Sequence, residues 1–255
     1  MARSMLLCMF AAVVSSCVLL TAAPKTTQDL ERVLVVESAR PVAKAMVILE
    51  DRYQQPITYE EGPYIYQDDV EDLTVAANAP RRILAPKRWR IESEIRLPSN
   101  VTKPELVSLI NRFLRSATQS RGLSRDSFRV LQSNYGLHVV PTQVRDFGGA
   151  ETPVTALLDV QITLLTSRTD SYSVLRSFCD AVSEATGAKV SLAPVSVDFA
   201  RRSSMIVADR QRARDVLIRL LEEQGLVLSW HLLHDPTGNA FILGLGQPGR
   251  LMPLK

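Results

Sequence analysis

Two of the three histidines, His231 and His234, stand three residues apart and precede Asp235, a grouping of residue types that bind divalent metals. A metal needs convergent ligands. Leu226 to His234 reads as a strand, on which positions three apart point to opposite faces, so the pair is expected to hold no metal. Cys179 falls on the apolar stripe of a predicted helix, where a thiol packs as a small inert hydrophobe. No serine sits in a nucleophile elbow and no glycine-rich phosphate loop follows a strand, so neither a catalytic residue nor a cofactor is expected.

The densest cationic stretch is Arg81, Arg82, Lys87, Arg88 and Arg90, with Trp89 among them. Tyr59, Tyr64 and Tyr66 lie shortly before it. Guanidinium groups beside aromatic rings suit a phosphate-bearing or otherwise anionic surface, with the rings as stacking platforms for a sugar or a peptide. A second group, Arg201, Arg202, Arg210, Arg212 and Arg214, lies later in the chain. The plain alternative is that both are solvated faces. With 30 basic against 27 acidic residues the net charge is only +3, too small to demand a polyanionic partner.

Residues 1–24 set the compartment. One basic residue, Arg3, precedes an uncharged run that lasts to Lys25, with small residues Ser15, Ser16, Ala22 and Ala23 near its end. Three readings stay open: a cleaved signal peptide, a lipoprotein processing site with Cys17 as the lipidated residue, and a retained N-terminal anchor. Each exports the rest of the chain, which is expected in the periplasm or facing it from the membrane. Nucleic acid is therefore not an expected partner.

The remaining chain states one pattern twice. In the first copy Val33–Val36 and Ile57–Tyr59 read as strands around a helix striped by Val42, Ala45, Met46 and Leu49, with Pro41 in its first turn. An acidic and then basic insertion at about 60–90 follows, then a strand at Ile91–Leu97. Thr102 and Glu105 have capping-box spacing ahead of a helix through Leu106, Leu109, Ile110, Phe113 and Leu114. Two strands, Phe128–Leu131 and Leu137–Val140, close the copy. In the second copy Asp159–Leu164 alternates as a strand, and a helix runs from Tyr172 through Leu175, Phe178, Cys179, Val182 and Ala185 to Gly187. Strands at Lys189–Leu192 and Met205–Val207 come next, then a helix capped by Asp209 and ended by Gly225, and a closing hairpin turning at Asp235–Asn239. Phe147 to Pro153, with two glycines and a proline, reads as a linker.

These readings predict an α+β fold of two tandem small domains, each β-α-β-β-α-β-β with two helices on small mixed sheets, at 30–146 and 155–250 with a linker at 147–154. The stretch from Leu175 to Leu192, and from Ala213 through Gly225-Leu226 into the hairpin, resembles the short N-terminal domain shared by secretins and TonB-dependent receptors. The second copy carries the resemblance; the first matches in element order, and its insertion departs from the pattern. The resemblance implies a non-catalytic docking role on an envelope complex, with no catalytic residues to carry over. Two rivals stand beside it: a periplasmic binder of peptidoglycan, another anionic glycan or an anionic lipid surface through Tyr59, Tyr64, Tyr66 and the 81–90 cluster, and an enzyme of unrecognised type. Oligomers are compatible with each of the three.

Overall fold

The computed structural model describes residues 34–77, 80–122 and 127–246; residues 1–24, with Cys17, lie outside them. The fold is α+β, and the strand-helix order appears twice. In the first copy β1 (Leu34–Ser38), α1 (Pro41–Tyr53) and β2 (Ile57–Glu60) precede the insertion, which forms the short pair β3 (Val70–Asp72) and β4 (Leu84–Pro86). β5 (Trp89–Ser93), α2 (Lys103–Ser120), β6 (Phe128–Gln132) and β7 (Leu137–Pro141) complete it. Thr102 and Glu105 form the reciprocal capping box at the start of α2.

Between the copies the expected linker is a hairpin, β8 (Gln143–Arg145) with β9 (Glu151–Pro153). Its turn has a chemical cause: the Asp146 carboxylate accepts from the Gly148 and Ala150 amides, at 2.9 and 3.0 Å. Gly149 is there because its φ is +84° and because a side chain would press into the ring of Tyr66.

The second copy runs β10 (Gln161–Leu165), β11 (Thr169–Asp170), α3 (Ser171–Thr186), β12 (Lys189–Leu192), the single turn α4 (Val197–Ala200), β13 (Ser203–Ser204), β14 (Val207–Arg212), α5 (Ala213–Glu223), β15 (Ser229–Asp235) and β16 (Ala240–Gly246). Asp170 caps α3, accepting from the Ser173 amide, and Gly187 ends it in the left-handed conformation. The α3 stripe begins at Val174, since Tyr172 is 41% exposed. Asp209 is no helix cap: it lies within β14, which pairs with β10 through a bulge, and α5 starts only after Arg212.

Both copies build the same sheet pieces. An outer antiparallel ribbon, β1–β5 or β10–β14, lies apart from a three-stranded unit, β2-β7-β6 or β12-β16-β15. In each unit the first pairing is parallel and the second antiparallel. The two units then join, because β15 pairs in parallel with β2, and the result is one six-stranded sheet, β12-β16-β15-β2-β7-β6.

Each copy keeps its own core, and the cores occupy opposite faces of that sheet. Leu232 belongs to the second core, with α3 and α5, while its neighbour Leu233 packs against the first, with α1 and α2. Alternation along β15 puts consecutive side chains on opposite faces, so the helix layers lie on opposite sides.

Candidate functional site

The junction between copies is polar and buried at Glu60 and Arg214. Glu60, fully buried at the end of β2, receives Nη2 and Nε of Arg214 at 2.6 and 3.0 Å on one oxygen and the Leu158 amide at 3.2 Å on the other. Arg214 also binds Asp159, which takes Arg129 at 3.1 Å. Burial raises the Glu60 carboxyl, against the pull of Arg214; Arg214, despite its own burial, ends raised because Glu60 and Asp159 hold its proton.

Beside this triad Glu61 clamps the start of the insertion onto β15. Its carboxylate accepts from the Tyr64 hydroxyl (2.6 Å), Arg40 Nε (3.0 Å) and the His234 amide (2.9 Å), and Arg40 also donates to the His234 carbonyl. The Tyr64 amide donates to His234 Nδ1, which leaves the imidazole proton on Nε2, facing Asn239. Further out, the backbone of Leu84 on β4 exchanges two hydrogen bonds with the Thr237 hydroxyl. Part of the insertion is thus a strap across the two copies.

The aromatic residues expected as a stacking surface are not gathered there. Tyr59 is core, 3% exposed, and Tyr64 is consumed by Glu61 and His234. Tyr66 gives its hydroxyl to Asp68 and lies under Arg145, while Trp89 lies under Arg121. Arg81 and Arg88 are exposed, Lys87 is half-buried, and Arg82 and Arg90 make exposed pairs with Asp72 and Glu92, which are worth little. In the second arginine group Arg214 is buried at the junction and Arg202 donates to the Gln224 carbonyl.

Ser133, His138 and Thr58 form a chain that composition alone does not suggest. Thr58 Oγ1 is 2.9 Å from His138 Nδ1, and Ser133 Oγ is 2.8 Å from Nε2. The ring is buried against Trp230, with centroids 5.3 Å apart, and burial pulls its pKa down to about 4. A hydroxyl takes the place where a nucleophile's base needs an orienting carboxylate, and none of the described cavities reaches Ser133 or His138. Both ring nitrogens of His138 are thus hydrogen-bonded within the fold. His231 and His234 lie on opposite faces, and among the described residues no three metal-binding side chains converge. Cys179 is buried, its thiol pushed up to about 12 by burial.

A cavity of about 370 Å³, the widest of those described, lies between the copies, lined by Pro63, Pro141, Leu157, Ala188 and Phe241 with Lys189 and Glu61 beside them. Glu61 is already engaged, so this cavity offers volume without a convergent reactive pair.

The edges of the sheet differ in chemistry. At β12, Val190 turns its amide outward, but the Ser183 hydroxyl on α3 accepts it at 2.9 Å, and Pro194 removes a donor further along. Glu50 on α1 does the same for Ile57 on β2, at 3.3 Å, at the corresponding place in the first copy. Among the described residues no such device appears at β6. The Thr142 amide bonds the Ser127 carbonyl and the Ser133 amide bonds the Gly136 carbonyl, at the two ends of the β6–β7 register. Antiparallel alternation then turns the backbone groups of Phe128, Val130 and Gln132 away from the sheet. Among the described residues no strand pairs on that side.

Compared with protein-family models, curated proteins and solved structures, the chain matches none. Among the described residues no helix is long and apolar enough to cross a membrane.

Proposed function

We propose that this chain is an exported, non-catalytic docking module of the bacterial cell envelope. It adds an extended segment of a secretin- or TonB-receptor-type assembly to the open edge β6. The observation that carries the reading is the contrast between edges. At one end of the sheet Ser183 takes the Val190 amide and Pro194 lacks one, whereas the other presents three residues' outward backbone groups. Main-chain hydrogen bonds supply affinity in such strand addition, and side chains alternating above and below the sheet supply choice. The insertion, which straps the copies together, serves rigidity in this reading and not recognition.

A photo-crosslinking residue at Gln132, exposed at the end of β6, tests this in the native host. A discrete adduct with one envelope protein is expected there, and none from the same residue at Lys189 on β12. Adducts from Lys189 alone, or glycan captured from a probe at Arg88, would overturn the reading in favour of a different edge or of the glycan-binding rival.

A further inference from the structure

The two outer ribbons occupy equivalent places in the two copies, and their outward faces differ. Each presses one face on a core: Leu34, Val36 and Ile91 in β1–β5; Ile162, Leu164 and Ala208 in β10–β14. On the outer face of β1–β5, Val35 stands opposite Glu92 and Glu37 opposite Arg90, a lone apolar side chain among charges. On β10–β14, Leu165 stands opposite Val207, and Met205, two residues earlier, shares the face of Val207 because Ile206 and Ala208 between and after them are buried. Leu165 is 78% exposed, Val207 56% and Met205 43%. Folding alone gains nothing from three contiguous large apolar side chains in water, and such patches mark contact with something else.

The surrounding charge says what. The Arg219 guanidinium lies on the Val207 carbonyl at 2.9 Å. Arg168 is exposed in the segment that follows Leu165, next to Thr169, which pairs with Ser204 beside Met205, and Arg210 is exposed further along β14. Asp209 is the one acid in this stretch of β14, within 3.5 Å of the Thr163 hydroxyl. Over the segments 163–170, 205–212 and 215–219, Arg168, Arg210, Arg212 and Arg219 stand against Asp170, Asp209 and Asp215, and Asp170 is held by the Ser173 amide, so the rim carries a small cationic excess. Apolar side chains projecting from a narrow ribbon with exposed arginines nearby match an anionic bilayer: the tips pass the headgroups while the Arg168 and Arg210 guanidinium groups bind lipid phosphates. We infer that the outer face of β10–β14 rests on an anionic lipid surface, which would present the far edge β6 to a partner in the same envelope.

The test uses the full-length chain in flotation with phosphatidylcholine vesicles, with and without about a quarter phosphatidylglycerol. Wild type is expected to prefer the anionic vesicles and to lose that preference as salt screens the arginines. Leu165→Ser with Val207→Ser should bind them about tenfold more weakly. Val35→Ser, at the equivalent face of the first copy, should change nothing. The residues before Lys25 are common to all variants, so a difference between variants reports the ribbon. Equal binding of the double variant and wild type would overturn the inference, as would indifference to phosphatidylglycerol. A change of oligomeric mass in the double variant without a change in vesicle binding would assign the patch to a second copy of this chain instead.

Discussion

Replacing Arg214 with Met should lower the free energy of unfolding by about 3–5 kcal/mol, the usual cost of stripping one partner from a buried ion pair. Arg214 is 2% exposed and Glu60 fully buried, so the Glu60 carboxylate would keep only the Leu158 amide and Asp159 would lose its nearest cation. Urea denaturation followed by tryptophan fluorescence measures the loss. Glu60→Gln in the same chain should recover at least half of it, because a neutral amide leaves no uncompensated buried charge. A cost for Arg214→Met below about 1 kcal/mol would mean that strand pairing and packing hold the copies together without the ionic junction.

The second large effect is with pH. Burial pulls both His138 and His231 down to about 4, and lowers His234 as well. A base with a depressed folded pKa binds its proton more readily when unfolded. Its stability contribution is therefore complete above about 6.5 and disappears as pH falls from there towards 4. Glu50 works in the other direction: burial raises it to about 7, so stability rises as pH falls below 7 and the carboxyl takes its proton. Glu60, raised by burial too, acts with Glu50. Comparing variants separates the two trends. Relative to wild type, His138→Gln and His231→Leu should each gain roughly 2 kcal/mol on going from pH 7 to pH 4.5, whatever fixed cost each has at neutral pH. Unfolding curves at the two pH values decide this; variants that weaken in parallel with wild type would show that these rings are not the source of acid sensitivity.

Much of the fold is legible in residue spacing, because helices and hairpins are local. The stripe from Leu106 to Ala117, the box formed by Thr102 and Glu105, and the glycine stop at Gly187 each act within a few turns of chain, and each element forms where its own residues direct it. Asp209 misleads because a strand bulge can carry an aspartate as readily as a helix cap can. Phe147 to Pro153 misleads because glycine and proline mark a tight hairpin turn as well as a linker. The shared sheet leaves almost no local trace. It rests on two register pairs between β15 and β2, His231 with Tyr59 and Leu232 with Glu60, and on a guanidinium and a carboxylate 154 positions apart. Glu60 and Glu61 read as the start of an acidic surface insertion, and only the packing shows that both are buried. Tyr59 and Tyr64 look like surface aromatics for the same reason. The contrast between β6 and β12 is likewise invisible in sequence, since it depends on which way each backbone amide turns and on Ser183 reaching across from a helix.

The most direct measurement compares tagged full-length wild type with Val130→Pro, each crosslinked in intact native envelopes, purified and quantified by mass spectrometry. Proline at 130 removes a donor that points away from the sheet and leaves the β6–β7 ladder intact, a substitution edge strands tolerate. Wild type should recover one envelope assembly in near-stoichiometric amount, and Val130→Pro about a tenth of that or less; Val130→Ala, which trims the same side chain from the first core but keeps the amide, should recover as much as wild type. Equal recovery by wild type and Val130→Pro, or recovery of glycan with no protein partner, would contradict docking at β6.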